Sequence, residues 1–138
     1  MTIPVIYWSG TGNTETMANA VAEGIQENGN EAKVLAVGAA SVADVEAAEA
    51  IAFGCPSMGD EVLEEDEMEP FIESIANVVK GKRVVLFGSY DWGDGQWMRD
   101  WQERMQGYGA EVVKDGLIAN LEPDADAIAA CKELGKAL

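Results

Sequence analysis

The stretch IPVIYWSGTGNT, residues 3–14, indicates the fold class of this chain. It begins with an apolar, β-prone run at residues 3–8, which predicts a first strand. Pro4 fits that strand only at its beginning, where no ladder donor is needed. A loop rich in glycine and hydroxyl groups follows, and residues 13–27 then carry apolar side chains at helical spacing. A strand that passes through such a loop into a helix is typical of α/β proteins.

The alternation of strand and helix continues along the chain. The predicted elements after the first helix are strand two at 32–37, a short helix at 42–48, strand three at 50–55, a helix at 68–79, strand four at 83–89, a helix at 96–108, strand five at 112–113 and 117–119 with a break at 114–116, and a helix at 124–138. Right-handed crossovers give a doubly wound, five-stranded parallel sheet with helices on both faces. The expected strand order is 2-1-3-4-5, and residues 1–138 are expected to form a single domain.

Charge and composition restrict the possible functions. Twenty-five acidic and nine basic residues give a net charge of −16, which makes nucleic acids and anionic membrane surfaces poor partners. No apolar run approaches the roughly 20 residues of a membrane helix, and residues 1–4 do not resemble a signal peptide. Cys55 and Cys131 have no metal-binding spacing and are expected to be small buried hydrophobes. We therefore expect a cytoplasmic protein.

The segment between the first strand and the first helix has the chemistry of an anion site. This first loop consists of Ser9, Gly10, Thr11, Gly12, Asn13 and Thr14. Glycine lets the backbone approach a ligand closely. The N-terminus of the following helix offers free N–H groups and the positive end of its dipole. The first loop is therefore predicted to bind a phosphate group without a cation.

Other kinds of loop fit these residues less well. A Walker loop ends in Gly-Lys-Ser/Thr, whereas no Lys or Arg precedes Lys33. A dinucleotide-binding fingerprint has a third small residue where this chain has Glu15, and a cysteine-dependent phosphatase loop would contain a cysteine. A plain strand-to-helix turn capped by Thr11 or Asn13 leaves the density of hydroxyl groups and glycines unexplained.

Two further loops follow strands three and four. The second loop, residues 56–67, begins with Pro56, Ser57, Met58, Gly59, Asp60 and Glu61, and the third loop, residues 88–95, contains Ser89, Tyr90, Asp91 and Trp92. Met58 is suited to lie against an aromatic ring, and an exposed Trp92 would be costly without a use. Gly59 can take the positive φ of the first central position of a type II′ turn. On their own, these segments could be surface turns in which Met58 fills the core and Trp92 caps it.

Together, the three loops resemble the cofactor-binding loops of flavodoxins. Ser-Gly-Thr-Gly-Asn-Thr after a strand ending in Tyr-Trp is similar to the loop that binds the FMN phosphate, and the later loops resemble the short-chain, clostridial type. The resemblance covers essentially the whole chain. It implies a flavodoxin-like fold and a monomeric electron carrier with non-covalently bound FMN and no catalytic residues of its own. The implied partners are basic faces of redox proteins, such as flavodoxin or ferredoxin reductases and ferredoxin-using oxidoreductases.

The resemblance also implies how the flavin ring is held. Met58 would pack on its inner face, Trp92 would stack on its outer face, and Ser89 would reach the phosphate. The peptide that follows Gly59 would meet N5, and Glu61 would meet N3.

The resemblance breaks at Asp91, where the short-chain pattern has glycine. If that glycine has a positive φ, Asp91 must be strained or the third loop must bend differently. Backbone N–H groups near Asp91 would face N1 and the C2 carbonyl of the ring. The Asp91 carboxylate would add negative charge at that edge.

Acidic residues around the expected ring site predict the redox behaviour. They are Asp60, Glu61, Glu64, Glu65, Asp66, Glu67, Glu69, Asp91 and Asp94, and neither ring loop contains Lys or Arg. Negative charge disfavours the anionic hydroquinone, whereas a Gly59 carbonyl turned toward N5 would stabilise the neutral semiquinone. The chain is therefore expected to be a low-potential carrier that transfers one electron, mainly between semiquinone and hydroquinone.

Two other functions on the same fold fit less well. A flavin-dependent quinone or azo reductase usually needs a longer chain and a substrate pocket over the ring. A receiver domain needs an acidic pair after strand one, whereas this strand ends in Tyr7-Trp8-Ser9.

Overall fold

The computed structural model describes residues 1–138 as alternating strands and helices. In chain order the elements are β1 (Thr2–Tyr7), α1 (Asn13–Glu27), β2 (Glu31–Ala36), a 3₁₀ helix (Val37–Ala39), α2 (Val42–Glu46), β3 (Ala50–Gly54), α3 (Met68–Ser74), β4 (Arg83–Tyr90), α4 (Gln96–Gly107), β5 (Glu111–Val112), β6 (Leu117–Asn120) and α5 (Ala125–Lys136). Apart from α3 and the fifth strand, the predicted boundaries agree with these to within about two residues. None of the helices is both long enough and apolar enough to span a bilayer.

All strand pairs in the sheet are parallel, and the order β2-β1-β3-β4-β5 confirms the doubly wound prediction. The predicted fifth strand is two separate strands, because β5 and β6 each pair with β4. Between them the Gly116 N–H donates to Gln102 Oε1 on α4 at 2.9 Å. The sheet therefore has six strands, and the predicted break at 114–116 separates the last two.

Helix α3 is shorter than the predicted helix at 68–79, since it ends at Ser74. The Ser74 hydroxyl donates to the Phe71 carbonyl at 2.6 Å, and such a bond competes with regular helical geometry. The chain continues in hydrogen-bonded turns that keep Ile75 and Val79 fully buried. The apolar spacing of this segment therefore reports burial correctly, although the helix stops earlier.

The core forms one layer on each face of the sheet. Helices α3 and α4 cover one face, where Trp97 and Trp101 are almost fully buried, and helices α1 and α5 cover the other. Helices α1 and α5 pack closely through glycine, because a Cβ on Gly24 would lie 1.9 Å from the Lys132 carbonyl oxygen. The N-terminus of α1 lies at the carboxyl end of β1, because only residues 8–12 separate the two elements.

Both cysteines are buried and free, as the sequence predicts. Burial raises the pKa of the Cys55 thiol and that of the Cys131 thiol to about 12. Both therefore stay protonated and act as packing residues at neutral pH.

Candidate functional site

A cleft of about 230 Å³ opens where the carboxyl ends of β1, β3 and β4 meet. Residues of all three predicted loops line it together with two others: Trp8, Gly10, Thr11, Asn13, Pro56, Ser57, Met58, Ser89, Tyr90, Asp91 and Leu121. The carboxyl edge of an open parallel sheet, at the point where the strand order reverses, is the usual ligand site of this architecture. The three loops predicted from the sequence therefore come together in one site.

The first loop leaves the N-terminus of α1 open to a ligand. Gly12 is the residue before the helix, with φ 96°, and no side chain caps the helix. The Gly12 N–H donates to Ser9 Oγ at 3.1 Å, which draws the loop into a tight turn. The N–H groups of Gly10, Thr11 and Thr14 donate to no other group of the chain. Thr11 Oγ1 accepts the Asn13 N–H at 3.4 Å, but Gly12 and not Thr11 or Asn13 is the residue before the helix. The donors that stay free fit an anionic group such as a phosphate.

Thr14 joins the first loop to the third. Its hydroxyl lies 2.9 Å from the Ser89 hydroxyl, and both residues are buried. The Ser89 N–H also points to Thr14 Oγ1, at 3.4 Å. Ser89 borders the cleft, whereas Thr14 lies behind it. The Thr14 side chain therefore holds two loops together, while the Thr14 N–H stays free at the start of α1.

The second loop contains a narrow hairpin. Met58 and Val62 exchange two backbone hydrogen bonds of 2.9 Å, and residues 59–61 form its tip. Gly59 has the predicted positive φ, 49°, and Glu61 also has a positive φ, 57°. Because Met58 pairs with Val62, the tip has three residues and is not the two-residue type II′ turn. The peptide between Gly59 and Asp60 makes no hydrogen bond within the chain. It can therefore rotate without losing one.

The third loop bends at glycine and not at Asp91. The positive φ values fall at Gly93, 94°, and Gly95, 93°, whereas Asp91 has an ordinary negative φ. Asn120 Nδ2 donates to the Asp91 carbonyl at 3.3 Å and so supports the loop from β6. Asp91 is therefore unstrained, and the glycines after it provide the positive φ values of this loop. Trp92 is 59% exposed, so it does not cap the core.

The Glu61 carboxylate connects the second and third loops. Its Oε1 accepts a hydrogen bond from the Asp94 N–H at 2.9 Å. A Cβ on Gly93 would lie 1.5 Å from the same oxygen, so this approach requires glycine. Glu61 is half-buried between the two loops and lies outside the lining of the cleft.

Three of the acids expected around the ring site pair with arginines or accept backbone N–H groups. The sequences of the loops alone do not indicate these contacts. Arg99 and Arg104, both on α4, pair with Asp94 and Glu69 respectively. The hydrogen bond from Arg104 lowers the pKa of the Glu69 carboxyl. Glu64 is buried and accepts hydrogen bonds from the first turn of α3. Neither ring loop contains a cation, but arginines of α4 offset two of these acids from outside the loops.

Sequence analysis missed two residues that line the cleft, Trp8 and Leu121. Trp8 follows β1 directly and packs its ring beside Gly10, where a Cβ would lie 3.0 Å from Trp8 Cη2. Leu121 follows β6, is 51% exposed, has φ 58° and donates its N–H to the Tyr90 carbonyl at 2.7 Å. The one sequence signal for this position is an apolar residue, Leu121, between the polar residues Asn120 and Glu122.

Comparisons with known proteins agree with this geometry. A family model described as Flavodoxin matches residues 5–135. The chain is 52% identical to the flavodoxin of Clostridium beijerinckii over 96% of this chain and 95% of that one, and 41% identical to the flavodoxin of Megasphaera elsdenii over 98% and 96%.

Solved structures show the same likeness. The solution structure of two-electron reduced Megasphaera elsdenii flavodoxin superposes with a TM-score of 0.87 over 98% of this chain and 96% of that one. A flavodoxin from the domain Archaea, 28% identical, gives a TM-score of 0.90 over 99% and 94%. Flavodoxins bind FMN and carry electrons, and they are not enzymes. The family model matches nearly the full length of this chain, and the three loops predicted to bind the cofactor meet in one cleft. This chain belongs to the flavodoxin family.

Proposed function

We propose that this flavodoxin is a low-potential carrier that shuttles its FMN mainly between the semiquinone and hydroquinone forms. The observation that carries the proposal is the open N-terminus of α1, with free N–H groups of Gly10, Thr11 and Thr14, at one end of a cleft that Met58 and Tyr90 also line. One end of this site suits an anion and the other an aromatic ring. When bound, FMN supplies the one-electron chemistry, and the protein holds it and adjusts its potential.

The first loop would bind the phosphate through its backbone N–H groups and the hydroxyls of Ser9 and Thr11. Thr14 supports this loop from behind through its 2.9 Å contact with Ser89. Gly12 lets the chain turn tightly into the helix, and Asn13 borders the same part of the cleft.

The second and third loops would hold the ring. Met58 is half-buried in the lining of the cleft and suits the inner face, and exposed Trp92 is free to stack on the outer face. Glu61 uses one oxygen on the Asp94 N–H and keeps further lone pairs for a ring N–H. Pro56, Ser57, Tyr90 and the unbonded peptide between Gly59 and Asp60 complete this part of the site.

Charge around the site would then determine whether the protein raises or lowers the second reduction potential of bound FMN. Seven of the nine acids have no cationic partner: Asp60, Glu61, Glu64, Glu65, Asp66, Glu67 and Asp91. Added negative charge on the cofactor is disfavoured near them. Arg99 and Arg104 reduce this effect, so we expect a smaller depression of the second potential than nine free carboxylates would cause.

The purified protein is expected to be yellow and to release one FMN per chain on acid precipitation. It should show no sustained NADH-to-quinone turnover, because the cleft has a volume of about 230 Å³ and a bound flavin would leave little room in it for a substrate. Flavin identification by chromatography and a steady-state quinone assay check both points. A colourless protein that takes up no added FMN, or steady quinone turnover, would contradict the proposal.

Partner recognition would use the exposed side of the site. Trp92, Leu121 and Val62 are exposed apolar side chains beside the ring loops, and they are surrounded by carboxylates on a chain of net charge −16. We propose a cytoplasmic monomer whose partners are basic faces of flavodoxin or ferredoxin reductases and of ferredoxin-using oxidoreductases. Opposite charge would steer these encounters.

Raising the ionic strength is expected to slow reduction of this flavodoxin by a basic reductase severalfold, because the Debye length falls to about 8 Å at physiological salt. Stopped-flow rates from low to high salt measure this effect. Photoreduction by an uncharged flavin analogue is the control and should be insensitive to salt. Equal salt dependence for both reductants would contradict charge-steered docking.

A further inference from the structure

The two ends of the 56–63 segment, which carries the hairpin, are joined at their base. The Glu64 N–H points to Cys55 Sγ at 3.4 Å. Cys55 is in turn fixed to the sheet and to α4, because its N–H donates to the Phe87 carbonyl at 3.1 Å and its carbonyl accepts from Trp97 Nε1 at 3.1 Å. The segment therefore leaves and returns at one rigid point.

The Glu64 carboxylate extends this base to helix α3. It is 6% exposed, and it accepts N–H groups of Asp66 at 2.7 Å, Glu67 at 2.8 Å and Met68 at 3.0 Å. Glu67, the residue before the helix, makes no side-chain cap. Glu64 thus satisfies, from the preceding segment, donors that a helix start leaves open.

Glu64 is ionised whenever the protein is folded near neutral pH. Burial alone would raise the pKa of this carboxyl, but the hydrogen bonds from Met68, Glu67 and Asp66 outweigh it and lower the pKa. Both oxygens therefore act as acceptors only.

We propose that Glu64 is a positioning residue that sets how the hairpin of the second loop stands over the flavin site. The hairpin is closed by Val62, and only the buried Leu63 separates Val62 from Glu64. The orientation of the tip at residues 59–61 therefore depends on the rigidity of the base. The consequence for the cofactor rests on the proposed function, whereas the consequence for the hairpin does not.

The test is Glu64→Gln. A glutamine has one acceptor oxygen, and its NH₂ group would face backbone donors, so at least one of the three bonds is lost. Amide exchange at Met58 and Val62 in the apoprotein is expected to speed up about tenfold or more through local opening. In the holoprotein the FMN dissociation constant should rise by about the same factor, and the potential of the first reduction step should shift.

Asp44→Asn is the matched control. The Asp44 carboxylate also accepts a backbone N–H, that of Ser41 at 2.8 Å, at the start of α2 and outside the cleft. The Asp44→Asn variant should leave amide exchange at Met58 and Val62 unchanged, and also both reduction potentials. Equal behaviour of the two variants would overturn the proposal and reduce Glu64 to a cap of α3.

If Glu64→Gln does not fold, Cys55→Ala tests the same base. It removes the sulfur that faces the Glu64 N–H and should speed exchange at Met58 and Val62 severalfold; unchanged exchange contradicts the proposal. Failure of the wild-type protein to bind FMN would contradict the proposed function, while the apoprotein exchange would still decide the role of Glu64.

Discussion

The apoprotein is expected to bind FMN about a thousandfold more tightly than riboflavin, because riboflavin lacks the group that the first loop addresses. Gly10, Thr11 and Thr14 present free N–H groups at the start of α1. Hydrogen bonds to a charged partner contribute about 1.5–3 kcal/mol each. Three such hydrogen bonds together contribute more than the roughly 4 kcal/mol that corresponds to a thousandfold ratio of dissociation constants.

Fluorescence quenching titrations with the two flavins measure this ratio. FAD should bind poorly, since its adenylate replaces oxygens of the terminal phosphate. Gly12→Ala is a sharper probe of the same loop, because a Cβ at φ 96° meets open space but a strained backbone, at a cost of about 1–2 kcal/mol. It should weaken FMN binding and leave riboflavin binding nearly unchanged. Equal affinities of the wild-type protein for FMN and riboflavin would contradict this account of the first loop.

Gly59→Ala is expected to lower the potential of the first reduction step by roughly 40–90 mV. Gly59 has φ 49°, and a Cβ there would meet no atom within 4 Å, so the penalty is one of backbone strain, about 1–2 kcal/mol. A tenfold change in a one-electron equilibrium is about 59 mV. We expect the positive-φ tip to be the form that presents its carbonyl to N5 after the first electron arrives. The oxidised complex should therefore be much less affected.

Gly29→Ala is the matched control for this variant. Gly29 also has a positive φ, 88°, and open space around a Cβ, but it follows the end of α1 and does not line the cleft. Potentiometry should show a shift for Gly59→Ala and none for Gly29→Ala, although both lose stability. An unchanged first potential in Gly59→Ala would argue against a rotating peptide at the tip.

Local sequence features predicted the fold because each depends on residues close in the chain. Apolar spacing identified α1 to the residue, at 13–27, and the glycines and hydroxyls of the first loop indicated its place between β1 and α1. The positive φ of Gly59 was predictable for the same reason, since turn chemistry is local.

The remaining features depend on contacts between distant parts of the chain. Leu121 reaches the cleft only because β6 pairs with β4, beyond the break that divides the last two strands. Arg99 and Arg104 offset acids of other segments because α4 lies beside the ring loops. In the sequence, Glu64 is indistinguishable from the other acids of its loop. It is buried because it accepts the N–H of Met68, the first residue of α3.

A stepwise reductive titration that records potential and visible spectrum together tests the central claim most directly. The account predicts two well-separated one-electron steps, with the neutral one-electron-reduced form as the main species between them and a low potential for the second step. A single two-electron step, with no one-electron form at any potential, would contradict it.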